Sequence, residues 1–167
     1  MKGASLAFLL LAALVSAQIA YYYPLLPDPM ASHFGLDGAP NGWSSRLTFF
    51  AIYLASLLLT AGALFILASV LKRMPERAIN LPNRDYWLSA ERRDEALGYL
   101  QGMVGWCAVG VLLFMLLGTQ LVIRANLTAG GRLESGKLGW TLALLALWVI
   151  LTPVRAYRRL SRVPGGG

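Results

Sequence analysis

Four long apolar segments, separated by shorter polar ones, dominate the pattern of this chain. No Asp, Glu, Lys or Arg occurs within residues 3–27, 47–71, 96–123 and 138–154. A helix needs about 20 apolar residues to span a bilayer, and within hydrocarbon the backbone must satisfy its own hydrogen bonds. The pattern therefore predicts an all-α integral membrane protein with four transmembrane helices, at about residues 4–23, 47–71, 90–123 and 138–160.

The first apolar segment also resembles a secretory signal peptide. Lys2 precedes the apolar run, and residues 15–17 (Val-Ser-Ala) resemble a cleavage site. However, the run continues to Tyr23, beyond the about 7–15 residues of a secretory apolar region. We therefore expect a retained helix, with cleavage as the alternative, and a single membrane domain over residues 1–167.

The charged residues argue against a soluble protein and predict an orientation. Charged residues make up 14% of the chain and apolar residues 57%, whereas a soluble domain carries about 25% charge. Eleven of the fifteen Lys and Arg residues lie before the first apolar segment, between the second and third, or after the fourth. Because basic residues stay cytoplasmic, both termini and the loop 72–89 are predicted inside, and the loops 24–46 and 124–137 outside. The placement favours a bilayer with anionic headgroups as partner and excludes nucleic acid.

The first outer loop, residues 24–46, concentrates turn-forming residues. It contains four prolines, one Asp-Gly pair, one Asn-Gly pair and the single histidine of the chain. Proline fixes the backbone, and Asp-Gly and Asn-Gly favour turns. We therefore expect an ordered extracytoplasmic loop, closed by Trp43 at the membrane interface.

The histidine of this loop raises the question of a metal or an enzyme. Asp28, His33 and Asp37 are weak candidates for a divalent-metal site, but such a site takes three or four ligands and the chain has one histidine. Ser32 beside His33 is the only adjacent nucleophile and base, and neighbouring loop residues rarely act together. We expect no catalytic residue, metal or cofactor, and expect Asp28 and His33 to bond to the loop backbone.

Glycines on the third helix predict a packed face. Gly98, Gly102 and Gly105 follow a small-residue spacing that lets helices approach closely in lipid, so the protein could form an oligomer. Ser89 is the expected N-cap of this helix, which would begin near Ala90.

Other residues near the membrane surfaces suggest lipid contacts. Tyr86 and Trp87 are expected at the headgroups, as aromatic residues favour the interface. Four arginines near the C-terminus share one helical face and are expected to contact anionic headgroups: Arg155, Arg158, Arg159 and Arg162. The single cysteine, Cys107, can form no internal disulfide.

The first outer loop resembles the signature of a bacterial membrane family, the domain of unknown function 1648. That module also forms the N-terminal part of SdpI-like immunity proteins. The resemblance covers residues of about 5–60 and is carried by Leu26, Pro27, Asp28, His33, Phe34, Gly38, Pro40, Asn41, Gly42, Trp43 and Arg46. The C-terminal signature of SdpI-like proteins, an Asn-x-x-x-Gly-Ile-Arg-Thr-type loop, is absent. The resemblance implies a multi-pass protein of the bacterial inner membrane.

Three functions remain open at this stage. The first is a binding, signalling or immunity-like protein whose outer loop contacts a membrane or extracytoplasmic protein or peptide. Its binding or loop-structuring residues would be Pro27, Asp28, His33, Phe34, Gly38, Asn41, Trp43 and Arg46. The second is an accessory subunit or small permeation unit of a membrane complex. The third and least favoured is a membrane enzyme centred on His33 and Asp28.

Overall fold

The computed structural model of the protein describes residues 2–163, which are mostly helical. The helices are α1 (Lys2–Tyr22), α2 (Arg46–Arg73), α3 (Arg84–Trp87), α4 (Arg93–Leu127) and α5 (Ser135–Leu160). Within the described residues, α1, α2, α4 and α5 are long and apolar enough to cross a membrane. The prediction of four helices of transmembrane length is thereby confirmed, with bounds that differ by at most four residues.

The second helix is continuous but not uniform. It is α-helical over Arg46–Leu57, widens to a π-helix over Leu58–Gly62, and returns to an α-helix over Ala63–Val70. It ends in the 3₁₀ turn Leu71–Arg73. Ser45 caps its start, because the Ser45 hydroxyl accepts a hydrogen bond from the Thr48 amide at 3.1 Å.

The first loop differs from the all-α prediction, since it forms an antiparallel hairpin. Strand β1 (Met30–Phe34) pairs with β2 (Pro40–Ser44), with irregular register near His33. The Gly35 amide donates to the Ala39 carbonyl at 2.8 Å and so closes the turn. Turn formers thus fold the strands back on each other, an arrangement that hydropathy does not reveal.

The fourth helix is the centre of the molecule, because α1, α2 and α5 all pack against it. One apolar core joins α1, the hairpin, α2 and α4 through Val15, Leu26, Met30, Phe50, Tyr53, Leu57, Ala61, Leu112 and Ile123. By contrast, the apolar part of α5 has no buried residue. The last helix therefore leaves much of its surface to the surroundings.

A second core lies at the other end of the bundle, around the loop before α4. Trp87 is 1% exposed, and its indole N–H donates to the Leu160 carbonyl. The side-chain carboxamide of Asn83 donates to the backbone carbonyls of Leu160 and Ser161 at 3.2 and 3.0 Å. The expectation that Trp87 rests among headgroups is therefore wrong, since the indole instead satisfies carbonyls at the end of α5.

The start of α4 also differs from the prediction. The helix begins at Arg93, and the Ser89 hydroxyl is buried without a hydrogen-bond partner among the described residues. The Ser89 carbonyl, not its side chain, accepts hydrogen bonds from the amides of Arg92 and Arg93 at 3.1 and 3.0 Å. A separate turn therefore precedes the helix, which moves its start three residues beyond Ala90.

Candidate functional site

The candidate site is the hairpin together with the cleft beneath it, and an ion pair closes the base of the hairpin. Asp28 Oδ2 lies 3.5 Å from Arg46 Nε, and Asp28 Oδ1 accepts a hydrogen bond from the Arg46 amide at 3.3 Å. Arg46 also donates to the Tyr23 carbonyl at 3.0 Å and lies over the Tyr23 ring. These contacts join the end of α1, the loop and the start of α2.

A second clamp comes from Asn126, in the last turn of α4. Its carboxamide accepts from the Ala31 amide at 2.7 Å and donates to the Ala31 carbonyl at 2.9 Å. It thus satisfies both backbone groups of one residue of strand β1, as a partner strand would. The sequence pattern did not predict this role for Asn126. A lone asparagine near the end of an apolar helix was the available signal.

The turn of the hairpin docks on the loop between α4 and α5. The Leu133 amide donates to the Gly38 carbonyl at 2.8 Å, and Asp37 Oδ2 pairs with Arg132 Nη2 at 2.9 Å. Gly38 has φ 79°, and a Cβ there would lie 2.3 Å from the Leu133 carbonyl oxygen. Glycine is therefore required at position 38 both for the turn and for the close approach.

A cleft of about 370 Å³ lies under the hairpin, between α2 and α4. Ser32, His33 and Ser44 line its hairpin side, and Tyr53 and Thr119 line its helix side. The cleft therefore combines hydroxyls and an imidazole with apolar walls, as small-ligand and peptide sites do.

The side chain of His33 is exposed but lies close to two neighbours. His33 Nδ1 lies 3.1 Å from the Ser32 hydroxyl oxygen, so the two neighbouring side chains do reach each other, against the expectation from the sequence. A Cβ at Gly42, the residue paired with His33, would lie 3.0 Å from His33 Cβ. Gly42 thus leaves room for the histidine.

A chain of hydrogen bonds continues from the cleft into the bundle. Tyr53 donates to Gln18 at 3.3 Å, and Gln18 donates to Gln120 at 2.9 Å and to the Leu116 carbonyl at 3.1 Å. Gln120 in turn donates to the Tyr22 hydroxyl at 3.1 Å. The network joins α1, α2 and α4 with uncharged groups, which cost less at membrane depth than charges do.

The structure does not assemble the loop carboxylates and the histidine into one centre. Within residues 2–163, no group of three or more His, Cys, Asp or Glu side chains could hold a metal ion. Asp28 pairs with Arg46 and Asp37 with Arg132. Both carboxylates therefore hold the loop in place. Among the described residues, no carboxylate is hydrogen-bonded to the His33 imidazole, so Ser32 and His33 lack the third member of a catalytic triad.

The remaining predicted loop residues lie on the hairpin surface. Trp43 is 59% exposed and Leu36, in the turn, is fully exposed. Pro27 and Asn41 are exposed, whereas Phe34 is half-buried in the register position opposite Pro40. The hairpin thus carries apolar side chains that the protein itself does not cover.

The three glycines of α4 that were predicted to form a packed face have different surroundings. A Cβ at Gly105 would lie 3.3 Å from Ala4 Cβ on α1, so this glycine permits a close helix contact. At Gly98 and Gly102 no atom lies within 4 Å of a Cβ, and both line a groove between α4 and α5. The predicted packed face therefore divides into one packed and two open positions.

The C-terminal arginines also divide between two surroundings. Arg155 and Arg159 line the groove between α4 and α5, which we call the α4–α5 groove, and Arg158 and Arg162 do not. All four side chains are exposed. Two of the four arginines predicted to share one face therefore line the groove, and the other two lie outside it.

Comparison with known proteins gives one match. Residues 7–60 match the model of a domain of unknown function, DUF1648. No curated protein and no solved structure matches the chain. The matched segment contains the hairpin and the Asp28–Arg46 pair, while the residues that hold the hairpin from outside, Asn126 and Arg132, lie beyond it.

Proposed function

Because the chain belongs to the DUF1648 family through residues 7–60, we propose that it is a multi-pass protein of the bacterial inner membrane that acts by binding. Its hairpin contacts a peptide or membrane protein outside the cytoplasm, in a signalling or immunity-like role. The orientation rests on the eleven Lys and Arg residues at one end of the bundle against four at the other. That asymmetry supports a hairpin on the outer side.

The main observation behind this proposal is that a hairpin held in place by several contacts exposes apolar side chains to the solvent. Leu36 and Trp43 are exposed on an element held by Asp28, Asn126 and the Leu133 amide. Rigid aromatic and aliphatic side chains lose little conformational entropy on association, and tryptophan is common among residues that dominate binding energy. The hydroxyl-lined cleft under the hairpin supplies polar groups for orientation.

The test is photo-crosslinking in native membranes. A photoreactive residue at position 36 is expected to capture a defined protein or peptide, and Trp43→Ala in the same chain is expected to reduce that capture at least fivefold. The matched control carries the photoreactive residue at position 144, because Leu144 is also exposed, at 64%, but lies on α5.

Two results would overturn the proposal. One is capture of lipid alone at position 36, as at position 144. The other is capture of a protein that Trp43→Ala leaves unchanged, while the variant is present in the membrane in normal amount.

A further inference from the structure

The α4–α5 groove is a large open space along two apolar helices. It has a volume of about 1010 Å³. Gly98 and Gly102 form part of its floor, and Trp106 and Trp148 stand in its walls. In a bilayer such a space does not stay empty, because its lining would lose dispersion contacts that lipid or protein can supply.

Trp148 fixes the middle of the groove. Its indole N–H donates to the Trp106 carbonyl at 2.9 Å, and a Cβ at Gly110 would lie 2.5 Å from the indole. Between Gly102 and Phe114, which both line the groove, the helix rises by about 18 Å, close to one leaflet of a hydrocarbon core that is about 30 Å thick. This part of the groove has the length that one acyl chain needs.

The groove is cationic at the end where α5 finishes. Arg159 is held by the Tyr99 hydroxyl at 3.0 Å and by Glu95 at 3.4 Å. Arg155 lines the same groove and forms no ion pair with any residue in the described range 2–163. An uncompensated guanidinium at the mouth of an apolar groove is complementary to an anionic headgroup on an acyl chain.

We propose that the α4–α5 groove binds one anionic phospholipid, with its phosphate between Arg155 and Arg159 and one acyl chain running from Gly102 past Trp106. Arg159, already fixed by Tyr99, orients the headgroup. This site depends neither on the binding role of the hairpin nor on which side of the membrane the hairpin faces.

A second copy of the chain fits the groove less well. Two copies related by a twofold axis along the membrane normal place identical residues at the same depth. The Arg155 side chains of the two copies would then face each other across an apolar seam, where like charges repel. Charge therefore favours an anion over a second cationic groove.

The experiment is native mass spectrometry of the full chain, released from detergent after titration with phosphatidylglycerol or phosphatidylcholine. One phosphatidylglycerol is expected to remain bound in preference to phosphatidylcholine. Arg155→Gln is expected to lower its retention about fivefold, whereas Arg158→Gln, on the same helix but outside the groove, changes it less than twofold. Gly102→Leu fills the floor and is expected to abolish retention, with Gly139→Leu as the control at an open site outside the groove.

Three outcomes overturn the proposal. Equal losses for Arg155→Gln and Arg158→Gln would show diffuse attraction and no site. Equal retention of both lipids by the unchanged chain would show that charge does not select the occupant. A dimer that Gly102→Leu dissociates would show that a second copy fills the groove. Arg155 is exposed, so its replacement tests the site even if Gly102→Leu fails to fold.

Discussion

At the scale of single residues, uncharged amides far from each other in the sequence hold the molecule together. Asn126 bonds to a strand 95 residues earlier, and Gln18 bonds to Gln120 across 102 residues. Each amide satisfies groups that would otherwise be left without partners away from water, where an unmade hydrogen bond is costly. These residues are therefore the places where a conservative change has a large effect.

Replacing Asn126 with leucine is expected to destabilise the protein by about 1–3 kcal/mol, because both backbone groups of Ala31 lose their partner. The midpoint of thermal unfolding in detergent measures the change. Asn41→Leu is the control, since Asn41 is an exposed residue of the same hairpin. Equal effects of the two changes would contradict the clamp.

Replacing Gln18 with leucine is expected to lower the free energy of unfolding by about 1–2 kcal/mol, because three hydrogen bonds between helices are lost. Ser16→Ala, which removes only a bond within α1, should cost less than half as much in the same unfolding measurement. A Gln18→Leu protein as stable as Ser16→Ala would show that the network contributes nothing.

At the scale of elements, the hairpin is held from three sides although its strands are short. Two strands alone are marginally stable in water. The order of the hairpin therefore depends on the Asp28–Arg46 ion pair at its base, the Asn126 clamp and docking of the turn. The docking contact is the most sensitive of the three, because Gly38 has a positive φ and touches a backbone oxygen.

Gly38→Ala is expected to detach the turn from the loop that follows α4. Its Cβ would overlap the Leu133 carbonyl oxygen and strain the backbone. Amide hydrogen exchange at Leu133 should then accelerate at least tenfold, while exchange in the middle of α4 stays unchanged. The control Gly136→Ala adds a methyl group where no atom lies within 4 Å, and its exchange should match the unchanged chain.

At the scale of the whole molecule, the bundle has a central helix, a clamped hairpin at one end and a charged surface at the other. The orientation of this bundle is a prediction from charge. The test uses a chain in which Cys107 is replaced with serine and a single cysteine is introduced at Leu36 or at Glu76. A membrane-impermeant maleimide should label position 36 in intact spheroplasts and position 76 only after lysis. The reverse pattern would refute the outward orientation.

The part of this architecture that sequence predicts is the part set by local composition. Four helices follow from four windows without charge, because exclusion of charge from hydrocarbon acts on each segment separately. Asn126, Trp87 and the docking of Gly38 could not be predicted, since each depends on which distant backbone groups remain without a partner once the helices pack. Asp28 and Arg46 were singled out together because both fall in the part of the loop that resembles the DUF1648 signature.

The length of α4 has a mechanical consequence. This helix carries Asn126 in its last turn, and near its start Asp94 pairs with Lys72 and Glu95 with Arg159. Thirty-five residues of uninterrupted helix form a rod about 52 Å long without a proline to bend it. We therefore expect a displacement of the hairpin to be passed along this stiff helix to the salt bridges at its other end, without bending of the helix between them.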